Sequence, residues 1–119
     1  MKYGILHARN EDGEQILLEP VRQTTSAMER MRGLLGHPPP HPGEGLLLQP
    51  CTSVHTLFMR YPVDVVYLDQ NYQVLKVVPA LNPYRASFAF RAVAVLEMGA
   101  HQAASCGIHP GICFKWEER

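Results

Sequence analysis

Charge is what this sequence has least of. Only 18% of its 119 residues are Asp, Glu, Lys or Arg, against roughly 25% in an ordinary soluble domain. The eleven basic residues are cancelled by eleven acidic ones. A neutral chain lacks the basic excess that binding to a phosphate backbone draws on, so broad nucleic-acid binding is disfavoured. Long hydrophobic runs are missing too. Nothing approaches the roughly 20 consecutive apolar residues of a membrane span, and no membrane insertion is expected. The opening, Lys2 followed by Tyr3-Gly4-Ile5-Leu6-His7-Ala8-Arg9, has no apolar stretch of the kind a secretory signal contains, which predicts a cytoplasmic chain. Cysteine is scarce: Cys51, Cys106 and Cys113 are odd in number and widely spaced. That suits reduced thiols better than a disulfide framework, with a Cys106 to Cys113 bridge as the one open alternative.

What is present is enough for one core. The apolar fraction is 46%, and a chain of this size buries roughly two-thirds of the surface its unfolded form exposes. A single domain over residues 1–119 is expected. Most of the chain reads as strands: 2–7, 15–20, 45–48, 63–68, 72–78, 92–97 and 112–116. The tetrad Asn10-Glu11-Asp12-Gly13 joins the first two as a hairpin, and Asp69-Gln70-Asn71 is a tight connection between two later ones. Ser26-Ala27-Met28-Glu29 has capping-box spacing, so a helix follows to the stop at Gly36, with Met28, Met31 and Leu35 on one face. Gly33 inside it costs about 1 kcal/mol relative to Ala, which points to close approach of another backbone. A short second helix is expected over 100–106. Strands joined by turns, with one main and one short helix, predict a mainly β fold (α+β): an antiparallel β-sandwich or barrel-like domain.

The prolines of His37-Pro38-Pro39-Pro40-His41-Pro42 force an extended surface loop. His37 and His41 would converge on a metal in a helix, but polyproline geometry holds them roughly 12 Å apart. Docking of this loop on a partner is one reading of the protein as a structural interaction module.

The scarcity of charge is uneven. Residues 49–110 carry only Arg60, Asp64, Asp69, Lys76, Arg85, Arg91 and Glu97. Asp64 begins a strand apolar on both faces, and Glu97 closes the run Ala92-Val93-Ala94-Val95-Leu96. A lone carboxylate taken out of water costs several kcal/mol unless it finds a donor, a cation, a metal or a raised pKa. His55 or Arg60 is the expected partner of Asp64, and Asp64 and Glu97 are expected to be able to converge. Three chemistries suit these residues. His55, Asp64 and Glu97 could hold a metal. Cys51 could act as a nucleophile with His55 as base, although an extended chain puts them roughly 13 Å apart. Arg60, Arg85 and Tyr84 could grip a small anion. The simpler alternatives are a His55 and Asp64 hydrogen-bond pair that fixes the approach to the strand, core packing for Met59 and Phe58, and inert buried thiols at Cys106 and Cys113.

The run from His55 to Asp69, His55-Thr56-Leu57-Phe58-Met59-Arg60-Tyr61-Pro62-Val63-Asp64-Val65-Val66-Tyr67-Leu68-Asp69, resembles the signature of the bacterial and archaeal family called domain of unknown function 192. The resemblance extends from Glu29-Arg30-Met31-Arg32-Gly33-Leu34-Leu35-Gly36 through Gly43-Glu44-Gly45-Leu46-Leu47-Leu48 and Pro50-Cys51 to Val95-Leu96-Glu97, covering roughly residues 20–115. It implies a compact, β-rich, sandwich-like fold with a helix, and no established activity. Relatives are often preceded by an export signal or anchor. Two departures stand out. The family's Pro-Ala-Gly-like step after the Glu is Met98-Gly99-Ala100-His101 here, and its Gly-Asp before the last strand is Gly111-Ile112.

The expected function is therefore a non-enzymatic accessory module that binds a small anionic molecule or a peptide through His55, Met59, Arg60, Asp64 and Glu97. The alternative is a small hydrolase-like or metal-assisted enzyme built on His55, Asp64 and Glu97. The absence of a nucleophile motif, phosphate loop or metal-ligand spacing leans away from the enzyme, and no cofactor is expected. The oligomeric state is left open.

Overall fold

The computed structural model describes residues 1–119. Two strands open the chain: β1 (Lys2–Arg9) and β2 (Gln15–Gln23). They form the expected hairpin, with the Asn10 side chain accepting from the amides of Asp12 and Glu14 across the turn. Helix α1 (Ala27–Arg32) follows, then β3 (Gly45–Leu48), β4 (Ser53–His55), β5 (Val63–Leu68), β6 (Val74–Leu81), β7 (Ala86–Phe88), β8 (Ala94–Gly99), α2 (Gln102–Ser105) and β9 (Lys115–Glu118). Seven strands make one sheet in the order β6-β5-β8-β3-β2-β1-β9, while β4 and β7 form a separate two-stranded ribbon. Every pairing is antiparallel except β2 with β3.

The sheet curls into a barrel-like shape. Its two edges meet through residues 111–114, where Gln73 bridges Cys113, the Val74 amide donates to the Ile112 carbonyl and the Phe114 amide to the Tyr72 carbonyl. Strand alternation then divides the apolar residues between two clusters. Leu47, Val66, Leu68, Ala94, Leu96 and Met98 point inward with Leu6 and Leu18 to fill the barrel. Leu46, Leu48, Val63, Val65, Tyr67 and Val95 point outward. They are nevertheless buried, because Leu34, Met59 and Ala92 from three connecting segments lie across them. Two covered faces explain why β5 and β8 read as nearly continuous apolar runs.

Several sequence expectations shift. The helix is shorter than the Ser26 to Gly36 span. Ser26 accepts from the Glu29 amide as its spacing requires, but Gly33, at φ 53°, ends the helix after six residues. Leu35 therefore lies beyond it, and Met28 and Met31 stand 81% and 78% exposed rather than forming a buried face. Leu34 enters the core in their place. The strand expected from Tyr72 begins at Val74, since Tyr72 adopts φ 60° in the turn closed by Asp69. The last strand starts three residues later than expected, because residues 112–114 are used in closing the barrel. Neither strand of the ribbon, β4 or β7, is among the strands expected from the sequence. All three cysteines are free thiols.

Candidate functional site

Asp64 and Glu97 occupy adjacent strands, but the pleat sends them to opposite faces. Val65 is paired with Glu97, and Asp64 with Met98. Glu97 thus shares the outward face with Val65, while Asp64 points inward with Val66 and Leu68. The expected convergence of these two carboxylates does not occur.

Asp64 has a complete set of partners. One carboxylate oxygen accepts from the amides of Ala80 (2.8 Å) and His101 (2.9 Å), the other from the amide of Ala103 (2.8 Å). Neither His55 nor Arg60, the expected partners, takes part; both side chains are exposed. Ala80 and His101 adopt φ of 46° and 68°, so the carboxylate ties two left-handed corners, at the end of β6 and the start of α2, to β5. Charge-assisted bonds of this kind are the strong ones, and they explain how an acid sits fully buried in an apolar strand.

Glu97 is the opposite case. It is 6% exposed, and no hydrogen bond reaches its carboxyl. Burial pushes its pKa up to about 7. The carboxyl opens into a cavity of about 240 Å³, walled by Leu34, Leu48, Val54, Leu57 and Met59 and bordered by Arg30, Arg32 and His55. Gly33 forms part of this wall. A β-carbon there would stand 2.9 Å from Glu97 Oε1, so the close approach expected at Gly33 is made by a side-chain oxygen rather than by another backbone. The glycine that ends α1 also makes room for the acid.

The outer wall is held by main-chain bonds. Buried Thr56 joins residues 56–59 to residues 82–85: its hydroxyl donates to the Asn82 carbonyl (2.6 Å) and accepts from the Arg85 amide (2.8 Å), and its carbonyl accepts from the Tyr84 and Met59 amides. Tyr61 donates to the His37 carbonyl (2.9 Å), fixing the start of the proline-rich loop. Cys51 is half-buried beside the cavity, and its thiol donates to the Ser53 carbonyl (3.0 Å). Burial pushes that thiol up, and Glu97 adds to the effect, so Cys51 stays protonated and is a poor nucleophile.

Of the five expected site residues, the structure brings together Glu97, Met59 and His55, with His55 on the rim. Arg60 lies in the adjoining groove, which shares Leu34, Leu35 and Met59 with the cavity. Asp64 is excluded by the sheet. The triad proposed for an enzyme is therefore broken, and nowhere do three His, Cys, Asp or Glu side chains gather as metal ligands would. Sequence reasoning missed Gly33 as a cavity wall, Arg30 as a rim cation, and Tyr67. The buried Tyr67 hydroxyl points toward Ser87 of the ribbon without a hydrogen bond of good geometry. Period-two alternation places Val65 with Tyr67 on one face of β5 and Glu97 with Val95 on one face of β8, but only the register that pairs Val65 with Glu97 joins the two sets.

A family model for DUF192, described as an uncharacterized ACR, matches residues 8–116. The chain belongs to the DUF192 family. Its fold is also that of solved proteins. A protein of unknown function from Novosphingobium aromaticivorans DSM 12444 superposes with TM-score 0.81 at 20% identity, over 96% of this chain and 85% of that one. A putative transcription regulator from Sinorhizobium meliloti 1021 superposes with TM-score 0.86 at 17% identity, over 98% of this chain and 96% of that one. At such identities the likeness concerns the fold alone. No curated protein matches this DUF192 chain. No helix is long and apolar enough to cross a membrane.

Proposed function

We propose that this chain is a non-enzymatic binding module whose Glu97 cavity receives a small ligand, or one side chain of a peptide, bearing a hydrogen-bond donor. The observation that carries this reading is a carboxyl that is 6% exposed, unpartnered, and open to a cavity rather than sealed in the core. Such a group lacks only a donor, and a ligand that supplies one relieves the burial cost. The cavity's 240 Å³ falls below the roughly 300–1,000 Å³ of pockets for drug-sized molecules, so the occupant is about the size of an amino-acid side chain. Apolar walls favour an aliphatic or thioether body. Arg30 forms no side-chain bond with the rest of the protein and borders the cavity, which suits an anionic group at the shallow end of the ligand.

The test uses three probes of one shape, butylammonium, butanol and butyrate, titrated into isotopically labelled protein. Butylammonium is expected to move the amide resonances of Gly33, Leu34, Val54 and Glu97, more strongly at pH 8 than at pH 5.5, because ionised Glu97 is the better acceptor. The Glu97→Leu variant should show no such shifts. If no probe moves these resonances, or if the shifts persist unchanged in Glu97→Leu, the reading is wrong.

A further inference from the structure

The Glu97 cavity lies at the centre of a longer groove, and the groove's composition identifies an occupant. On one side it shares Ser53, Val54 and His55 with a depression over the β4–β7 ribbon that ends at Lys76 and Phe88. On the other it runs, through Leu34, Leu35 and Met59, into the trough holding Arg60 and Phe58. Four cations, Arg30, Arg32, Arg60 and Lys76, line the three depressions, and the one acid among all their lining residues is Glu97 at the floor. The flanks also carry exposed aromatics. Phe58 and Phe88 are 70% and 56% exposed, and Phe58 stands edge-to-face against Tyr84 with ring centroids 6.1 Å apart.

The strand beside the cavity has an open edge. The bonds from the Ala89 amide to the Thr52 carbonyl and from the Thr56 amide to the Arg85 carbonyl fix the register of the ribbon. With antiparallel alternation, the main-chain groups of Val54 face β7 and those of Ser53 and His55 face away. The cavity is lined by all of β4 and none of β7, so it lies off that second edge. Here β4 has no strand neighbour; the Ser53 carbonyl accepts from the Cys51 thiol, and the Ser53 amide and the amide and carbonyl of His55 are left beside a cavity of side-chain size.

From this continuity and charge complementarity we infer that the groove binds an extended acidic peptide segment, added along the free edge of β4, with one donor-bearing side chain in the Glu97 cavity and acidic residues toward Lys76 and Arg60. The inference rests on the binding role proposed for the cavity. Strand addition supplies affinity through main-chain bonds and specificity through pockets for alternate side chains. The concavity favours a chain over a bilayer, which meets a protein on protruding rather than recessed surfaces.

The test selects random nine-residue peptides displayed on phage against the full chain, and measures an enriched sequence, labelled with fluorescein, by anisotropy. Acidic residues on both sides of a donor-bearing centre are expected. Lys76→Glu and Arg60→Glu should each weaken binding about tenfold, and a peptide with basic residues on the matching side should restore it. N-methylation at alternate peptide amides should abolish binding in one of its two phases and spare it in the other. Enriched peptides without acidic flanks, or binding indifferent to both charge reversals or to both methylation phases, would overturn the inference. So would co-sedimentation with phosphatidylserine vesicles, sensitive to Lys76→Glu, in the absence of any selected peptide. Butylammonium titration separates the two proposals: shifts at Gly33 and Glu97 without peptide selection retain the cavity reading and reject the peptide, whereas loss of both rejects both.

Discussion

Replacing Glu97 by Gln should make the protein more stable at alkaline pH and leave it nearly unchanged in acid. The Glu97 pKa rises from 4.5 to about 7 on burial. At about 1.4 kcal/mol per pH unit, this amounts to about 3 kcal/mol. The folded chain binds this proton more tightly than the unfolded chain. The contribution is therefore fully present below pH 4.5, falls as the pH rises, and is lost once the pH passes about 7. Gln is isosteric and neutral at every pH, so it does not share this loss. The stability of the wild type relative to Glu97→Gln should thus decline by about 3 kcal/mol between pH 4.5 and pH 8.5. For a domain of this size that corresponds to about 10 °C in relative Tm. Urea unfolding of both proteins at the two pH values measures the difference directly. Groups that titrate alike in both proteins cancel. Cys51, Tyr61 and Tyr67 feel the Glu97 charge, but all three are pushed upward by burial, away from the pH 4.5 to 7 window. Stability curves that run parallel from pH 4.5 to 8.5 would refute the argument, because they would mean that the Glu97 carboxyl has found a partner or lies in water.

Asp64→Asn should cost about 3 kcal/mol in urea unfolding, because one of the three amides bonded to the carboxylate would face an NH₂ group and the charge assistance would vanish. His55→Ala, an exposed position outside any hydrogen bond, should change stability by less than about 0.5 kcal/mol. Equal effects of these two substitutions would contradict the placement of the two residues. Gly33→Ala should destabilise by at least about 1 kcal/mol, since φ is 53° and the new methyl meets Glu97 Oε1. In a double-mutant cycle with Glu97→Ala, part of that cost should disappear; strict additivity would mean the contact is not what matters. Thr56→Val should lower stability by about 2 kcal/mol and speed hydrogen exchange at the Tyr84 and Arg85 amides, whereas unchanged protection would show that the hydroxyl is not what joins the two segments.

The strands around Asp64 were legible because their signals are local. Val63–Leu68 and Gly45–Leu48 appear with the expected bounds, and the Asn10 and Asp69 turns form through the side-chain acceptors that their sequences offer. The burial of Asp64 and Glu97 was legible as well, from the scarcity of charge in their surroundings. Their separation was not. Whether two residues on neighbouring strands share a face depends on register, and a shift of one residue exchanges the faces. The ribbon was hidden for another reason: β4 and β7 have three residues each, too few for periodicity to register, and they are joined through the Thr56 hydroxyl across some 30 positions of sequence. The exposure of Met28 and Met31 shows the limit of helical spacing, since a pattern that needs Leu35 fails once Gly33 ends the helix.

The two acids make one argument between them. Inside the barrel, Asp64 is answered by three amides and serves the fold, fastening β6 and α2 to β5. One strand over and facing outward, Glu97 is answered by nothing the chain supplies. An unpaired carboxylate out of water costs several kcal/mol, a cost that an apolar side chain of similar volume does not carry. A Leu at position 97 would also fill part of the cavity and continue the apolar face of Val95 and Leu48. Folding alone therefore gives no reason for a carboxyl there, whereas the proposed binding does: against the apolar walls that make the acid costly, a hydrogen bond to an incoming donor is electrostatically stronger than in bulk water. On this view the stability forgone at Glu97 and the affinity available to its ligand are one quantity. A ligand that satisfies the carboxyl should recover stability most where the unliganded protein has lost most, above pH 7.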